Sequence, residues 1–194
     1  GPKLGQDNAV IDLGDQYLIV KSDPVTFTTE KLGYYIVSIN ANDVVLSGAK
    51  PKWFTCTLLL PSNSINEQDV NKLFDEIAYY CEKLDIKVIG GHTEITTNLA
   101  RPIAVGTMFG TVDKSNLITT MGGVPGDALL LTHGIAIEGC AIIASEKENI
   151  LKEHSIPLDL IELGKSRLLE PGICIVNDAR LLIENFDIHA MHDP

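Results

Sequence analysis

Cysteine and long apolar runs are scarce in this 194-residue chain. The four cysteines are widely spaced and form no CxxC pair: Cys56, Cys81, Cys140 and Cys174. This spacing argues against structural zinc and favours a reduced, cytoplasmic setting. No apolar run reaches the ~18 residues of a membrane span, and no secretory signal opens the sequence. We therefore expect no membrane partner.

Positive charge is also in short supply. The chain has 15 Lys and Arg against 26 Asp and Glu, which gives a formal net charge of -11. Such a surface argues against broad binding to nucleic acids or anionic membranes, because both are themselves negative. It leaves room for a small phosphate ligand held locally by a metal ion. A Walker-type loop is absent, and GTMFG at 106–110 lacks the strand-to-helix context of a dinucleotide fingerprint.

Hydrophobic residues make up 45% of the chain, enough for one domain or two small ones. Strand and helix signals alternate on both sides of a Gly- and Pro-rich linker at 121–126, so we expect two α/β layers divided near residue 122. The predicted strands cover 8–13, 15–23, 52–61, 86–95, 102–112, 128–134 and 188–194. The strand at 86–95 is expected to be buried and to run into a glycine turn. The predicted helices cover 30–48 with Thr29 as cap, 67–84 with Asn66 as cap, 135–146, 156–169 and 172–185.

Polar residues interrupt apolar surroundings at four places: Asp7, Asp23, the pair Asn42 and Asp43 inside the first predicted helix, and His92-Thr93-Glu94 after Gly90-Gly91. A buried carboxylate without a partner costs several kcal/mol, and carboxylates brought together repel unless a cation joins them. Mg²⁺ prefers one or two carboxylates together with phosphate oxygens. A cluster of these acids would therefore suit a Mg²⁺–nucleotide complex.

Plainer explanations stay open for most of these residues. Asp23 before Pro24 can be an ordinary turn residue, Asp7 can end a loop, and Gly90-Gly91 can form a tight turn. His92 can be a core histidine with satisfied hydrogen bonds. Asp43 is harder to explain in this way, because Asp and Asn are poor helix formers and three of them, Asn40, Asn42 and Asp43, lie inside one apolar helix.

Five segments together resemble the signatures of the AIR synthetase (PurM-like) superfamily. NDVVLSGAKP at 42–51 resembles NDxxxxGAxP, and GQDNAVIDL at 5–13 resembles the G-[ED]-D-A-A-V segment. VKSDP, GGHTE and AMHDP resemble the [ST]-D-P, GG-[HDE]-T and M-x-D segments, in the family's order. Within the superfamily, this combination of segments is most similar to that of the hydrogenase maturation protein HypE and of HypE-like proteins. Gln6 and Asn8 depart from the pattern, which often has an acid and an alanine there.

The resemblance implies a two-domain α+β fold of the PurM-like type. Residues 1–115 would form the N-terminal ATP-binding domain, whose strands complete a barrel across a homodimer. Residues 120–194 would begin the C-terminal α/β domain, and we expect both ends of the sequence to continue in a longer protein.

Carried over residue by residue, the resemblance implies a site for ATP and Mg²⁺. The implied metal ligands are Asp7, Asp23, Asp43 and Asp193. The implied nucleotide-binding residues are Lys3, Asp23, Asn42, Gly90, Gly91 and Thr93. Asp43 would be the main catalytic acid, with His92 or Glu94 assisting proton removal.

The implied activity is the ATP-driven phosphorylation of a carbonyl-type oxygen. In HypE this oxygen belongs to a carbamoylated cysteine, whose dehydration supplies cyanide ligands for hydrogenase. A carbamoyltransferase and scaffold proteins of hydrogenase maturation would then be partners. An AIR synthetase-like or kinase-like enzyme with another substrate, or a non-catalytic ATP-binding scaffold, remains open.

Overall fold

The computed structural model describes residues 6–193. Within this range the chain divides into two compact units. The larger unit comprises residues 6–127 and 176–193, and the smaller comprises residues 128–175. The domain limits at 115 and 120 inferred from the resemblance stay a prediction. No helix in the described range is long and apolar enough to cross a membrane.

The larger unit is built on a five-stranded sheet with the order β1-β2-β5-β3-β4. The strands are β1 Ala9–Asp12, β2 Gln16–Val25, β3 Lys50–Pro61, β4 Lys87–Thr96 and β5 Ile103–Asp113. The pairs are antiparallel except β3 with β4, which run parallel. A turn at Gly14, whose φ of 96° suits glycine, joins β1 to β2. The first five predicted strands are thus confirmed, and the fold is mixed α+β.

Helix α1, Leu32–Leu46, is buried nearly all round because it packs on β2 and β5 and also contacts helix α2, Glu67–Lys83. Gly33 permits the close approach, since a Cβ there would lie 2.5 Å from the Cβ of Glu76. Asn66 caps α2 as predicted, in a reciprocal capping box with Asp69. The predicted cap of α1 is wrong: Lys31 occupies that position, with φ 56° and no capping side chain.

The core lies between α1 and the sheet. Its largest fully buried side chains include Phe54, Ile19, Ile36, Leu58 and Met108. One edge of the sheet differs from the rest, because β4 was predicted to be buried and is exposed along almost its whole length. Gly90 and Gly91 lie inside this strand and do not form the predicted turn.

The smaller unit contains helices α3 Ile137–Glu146, α4 Glu148–Glu153 and α5 Leu158–Ser166. Glu148 joins α4 to α5 through an ion pair with Lys165 at 2.7 Å. The strand predicted at 128–134 is wrong: these residues form no strand, and Leu129, Leu130 and Leu131 are exposed. A strand needs a neighbouring strand to satisfy its backbone, and the described part of this unit provides none.

Helix α6, Val176–Asn185, belongs to the larger unit and contacts α1. The described residues after it, 188–193, do not form the strand that was predicted there. They return to the end of the sheet near Asp7, as the contact between His192 and Asp7 at 3.5 Å shows. This return brings the last predicted acid to the first.

Candidate functional site

The centre of the candidate site is a lysine between two aspartates. Lys21 and Asp23 are two residues apart on β2 and therefore face the same side of the sheet. Asp43 comes from α1, which packs on that side. The Lys21 Nζ lies 3.2 Å from Asp23 Oδ2 and 3.0 Å from Asp43 Oδ2. The Asp43 side chain is only 9% exposed, so this charge pairing is largely shielded from water.

Asn40 fixes the helix against the strand at this point. Its side-chain oxygen accepts a hydrogen bond from the Asp23 backbone N–H at 3.0 Å, and its amide donates to the Ile36 carbonyl at 2.9 Å. Asn40 is fully buried, so these bonds satisfy a side chain that would otherwise be costly there. One of the three polar residues in the apolar helix is therefore structural. It holds the backbone of Asp23 against the turn of α1 that also carries Asp43.

The electrostatics leave the site short of positive charge. Burial, followed by repulsion from Asp193, raises the pKa of Asp43 to about 7, although Lys21 acts in the opposite direction. Burial also lowers the pKa of Lys21, but its bonds to Asp43 and Asp23 outweigh this and leave that pKa above its usual value. Lys21 thus stays charged at neutral pH, while burial disfavours the charged form of Asp43. One ammonium shared among several carboxylates does not neutralise them all.

Two further acids extend the cluster. Burial, with a contribution from Asp7, raises the pKa of Asp193, and the charge of Lys21 acts on the same carboxyl. Asp7 itself lies beside His192. Asp7, Asp23, Asp43 and Asp193, which were predicted from distant parts of the sequence, are therefore brought together in the larger unit.

A small cavity of about 20 Å³ lies beside this cluster, and Asp7, Asn8, Asp43 and Ser47 line it. Asn8 ties the chain before β1 to the end of α1, because its amide donates to the Asp43 carbonyl at 2.6 Å and to Ser47 Oγ at 2.8 Å. Its own side-chain oxygen is buried without a hydrogen-bond partner. Because Asn8 lines the cavity, a water molecule bound there could donate a hydrogen bond to the Asn8 side-chain oxygen.

The residues predicted from the GGHTE segment lie elsewhere in the chain. His92 and Glu94 are exposed on β4, with 3.7 Å between Nε2 and Oε2, and Gly90, Gly91 and Thr93 are exposed on the same strand. Two strands, β5 and β3, separate β4 from β2, which places these residues about 14 Å from Asp23 across the sheet. Within one chain they do not join the acids, and their proposed roles stay a prediction.

Two predicted residues remain to be placed, and one residue of the site was not predicted. Asn42 is buried in α1, whereas Lys3 lies outside the described residues. Lys21 was not predicted to belong to the site, although its position two residues before Asp23 on a strand was a usable signal. Over residues 6–193, no three His, Cys, Asp or Glu side chains are grouped so that they alone could hold a metal ion.

Comparison with known families identifies the chain. The sequence model of the family "AIR synthase related protein, N-terminal domain" matches residues 5–112. The chain belongs to this AIR synthase related family. The match begins just before Asp7 and ends one residue before the end of β5, so it contains nearly the whole sheet and both Asp23 and Asp43. The superfamily resemblance inferred from the sequence motifs is thus confirmed.

Individual relatives agree with this assignment. Over 193 residues the chain is 28% identical to MJ0676 of Methanocaldococcus jannaschii, which carries the name hydrogenase expression/formation protein; 97% of this chain and 54% of that protein are covered. The chain thus spans about half the length of the curated relatives that it matches.

Solved structures establish the PurM-like fold. Thiamine monophosphate kinase from Aquifex aeolicus is 18% identical, with a TM-score of 0.69 over 90% of this chain and 59% of that one. A structure of the hydrogenase maturation protein HypE in complex with ATP is 19% identical, with a TM-score of 0.62 over 68% of this chain and 41% of that one. At these identities the likeness concerns the fold alone.

Proposed function

We propose that the protein binds ATP together with Mg²⁺ at the acid cluster. The observation that carries this proposal is the position of Asp43, which shares the Lys21 ammonium with Asp23 and lies within electrostatic reach of Asp193. A related HypE structure contains ATP, which supports the choice of nucleotide. The net charge of -11 makes a bare phosphate ligand unfavourable, so the nucleotide needs accompanying cations.

The residues present fit Mg²⁺. Carboxylate oxygens are the hard ligands that this ion prefers, and one or two carboxylates with phosphate oxygens and waters suffice. The raised pKa of Asp43 reflects a buried carboxylate that still lacks positive charge. Asp43 and Asp23 would hold the ion, with Asp7 and Asp193 nearby. The ion would neutralise charge on the phosphates, while the chain holds and orients them.

For the chemical step we propose a HypE-like reaction, the phosphorylation of an oxygen on a carbamoylated cysteine. The oxygen forms a bond to the γ-phosphorus as the bond to ADP breaks, and later loss of phosphate with two protons from the nitrogen leaves a thiocyanate. Asp43 is the proposed proton acceptor or metal ligand, and His92 or Glu94 would assist proton removal. The likeness to the hydrogenase expression/formation protein supports this substrate.

An AIR synthetase-like or kinase-like relative acting on another small molecule is the second candidate, since the fold is shared with thiamine monophosphate kinase. A non-catalytic ATP-binding scaffold is the third. ADP formation from ATP by the whole protein distinguishes them. ADP formation only after carbamoylation by a partner carbamoyltransferase supports the first, ADP formation with another acceptor supports the second, and ATP binding without ADP formation supports the third.

We also propose that two copies of the chain pair through β4, and that hydrogenase-maturation proteins are the partners of the whole protein. In the single chain β4 is an edge strand with exposed apolar side chains, among them Val88, Ile89 and Ile95. Long apolar edges are usually covered, because they otherwise pair with any available strand. A second copy would complete the predicted barrel and bring another surface to His92 and Glu94.

Calorimetric titration with ATP and Mg²⁺ tests the binding proposal. Asp43→Asn keeps the shape of the side chain but removes its charge, so we expect affinity to fall by about 5–150-fold, equivalent to about 1–3 kcal/mol. Asp12→Asn is the matched control, since Asp12 also pairs with a lysine, Lys114, but is exposed. Equal affinities for the wild type and Asp43→Asn would exclude Asp43 from the site.

A further inference from the structure

The ammonium group of Lys21 lies where a cation shared by Asp23 and Asp43 would lie. It contacts one oxygen of each carboxylate, at 3.2 and 3.0 Å, and its side chain is only 14% exposed. The positive charge of Lys21 also acts on the Asp193 carboxyl, where it opposes the rise of the Asp193 pKa. Most lysines leave their ammonium in water, because burial of an unpaired charge is costly. A lysine withdrawn between two acids is therefore held there by those acids.

The strand geometry makes this arrangement local and specific. Lys21 faces Asp43 because it shares a face of β2 with Asp23, and Asn40 holds the Asp23 backbone against α1. The ammonium can leave this position without disturbing the sheet, since its contacts are made by the end of a flexible four-carbon side chain. Removing the ammonium would leave two carboxylates facing each other in a mostly buried place, where their repulsion is weakly screened.

We propose that Lys21 is a built-in counter-ion that occupies the cation position between Asp23 and Asp43 when nucleotide is absent. This inference deepens the proposed function, because it concerns the same acids. A divalent ion can join both acids only after the ammonium has moved away. The ammonium differs from Mg²⁺ in its distance to the carboxylate oxygens. Mg²⁺ binds oxygen at about 2.1 Å, so each carboxylate oxygen would have to move inward by about 1 Å.

The proposal gives Lys21 a definite consequence for metal binding. Without nucleotide, the wild-type site already has its cation and gains little from a divalent ion. Once Lys21 is replaced by an uncharged side chain of similar length, the same acids need a divalent ion to neutralise them. The charge of Lys21 therefore acts as a competitor of the metal, and its removal should create a metal site that the wild type lacks.

The test compares the wild type with Lys21→Met in nucleotide-free buffer, with Mn²⁺ as the probe. We expect electron paramagnetic resonance of free Mn²⁺ to show that the variant binds about one more ion per chain than the wild type. Saturating Mn²⁺ should also raise the melting temperature of the variant by about 3 °C or more, and that of the wild type by much less. Lys50→Met is the matched control, because it removes a lysine–aspartate ion pair with Asp85 outside the cluster.

Each result decides the proposal. Equal Mn²⁺ binding by the wild type and Lys21→Met contradicts it, and so does a variant that stays unfolded in Mn²⁺, since the ion then fails to replace the ammonium. A variant that folds only with Mn²⁺ supports it. Lys21→Met combined with Asp43→Asn should lose the extra ion, which confirms the ligands. A separate titration of the wild type with ATP and Mg²⁺ reports on the proposed function, and its outcome does not alter the ion count.

Discussion

Asp43 is expected to destabilise the protein in which it lies, and Asp43→Asn should reveal this through its pH dependence. In metal-free buffer the buried carboxyl faces Lys21 and Asp23 from β2 and Asp193 from the segment after α6. Its pKa in the folded protein is raised from 3.8 to about 7. The folded chain therefore holds a proton between these pH values that the unfolded chain has released.

The sign and size of the pH effect on stability follow from this difference in bound protons between the folded and unfolded states. Because the folded state binds more protons, stability falls as pH rises from about 4 to about 7 and is level above that range. A shift of about three pH units corresponds to about 4 kcal/mol, and partial access of solvent to the site reduces this to about 1–3 kcal/mol. Asparagine does not titrate. We expect Asp43→Asn to gain about 1–3 kcal/mol relative to the wild type between pH 4 and pH 8.

Urea denaturation at pH 4.5, 6 and 8 in the presence of EDTA measures this gain. Asp12→Asn is the control: a hydrogen bond from Lys114 lowers the pKa of Asp12, so the stability it contributes is lost only as pH falls below the usual carboxyl range. The difference between Asp12→Asn and the wild type should thus stay constant between pH 6 and 8. A constant difference between Asp43→Asn and the wild type across all three pH values would refute the reasoning about Asp43.

Two other predictions concern the sheet edge and the second helix. If β4 pairs with a second copy, light scattering should give about twice the 21.1 kDa chain mass, and Ile89→Lys should restore the monomer. A wild-type monomer at micromolar concentration would contradict this pairing. Asn66→Ala should cost about 1 kcal/mol in urea denaturation, because it removes the side-chain acceptor from the capping box of α2, whereas Gln68→Ala next to it should be neutral; equal effects would mean that the cap contributes nothing.

The larger unit was predictable because its signals are local. Period-two and helical spacing located β1 to β5, α1 and α2, and the Asn66 cap was visible as an Asn before a polar first turn. The start of α1 was not predictable in detail, since Lys31 enters the helix from a left-handed conformation without a capping side chain. Packing against α2 decides that end, and the sequence shows no sign of it.

The errors occur where a segment depends on contacts that the local pattern does not reveal. The residues at 128–134 have a strand-like apolar sequence, yet Leu129 is almost completely exposed and no strand forms. The strand predicted at 86–95 was expected to be buried, but β4 lies at the sheet edge and is exposed. An apolar pattern predicts that a face needs a partner; whether the chain itself provides that partner depends on tertiary structure.

Three acids of the candidate site stand out in the sequence, whereas its lysine does not. Asp7, Asp23 and Asp43 interrupt apolar surroundings, and motif resemblance added Asp193; their roles stay a prediction. Asn40 belonged to the same anomaly but proved structural, since it bonds to the backbone of Asp23. Lys21 was overlooked because a lysine in a strand is ordinarily assumed to point into water. Its burial depends on the helix that covers this face of β2.

The return of the chain after α6 also sets the order in which the cluster is assembled during synthesis. Lys21, Asp23 and Asp43 emerge close together and meet as soon as α1 docks on β2, whereas Asp193 belongs to a segment about 150 residues later. At roughly 5–20 residues per second, a ribosome needs about 8–30 s to make that length of chain. Through this interval the ammonium of Lys21 offsets one of the two negative charges of the early pair. A ribosome that stalls before α6 therefore leaves a nascent chain in which Lys21, Asp23 and Asp43 can meet but Asp193 is missing.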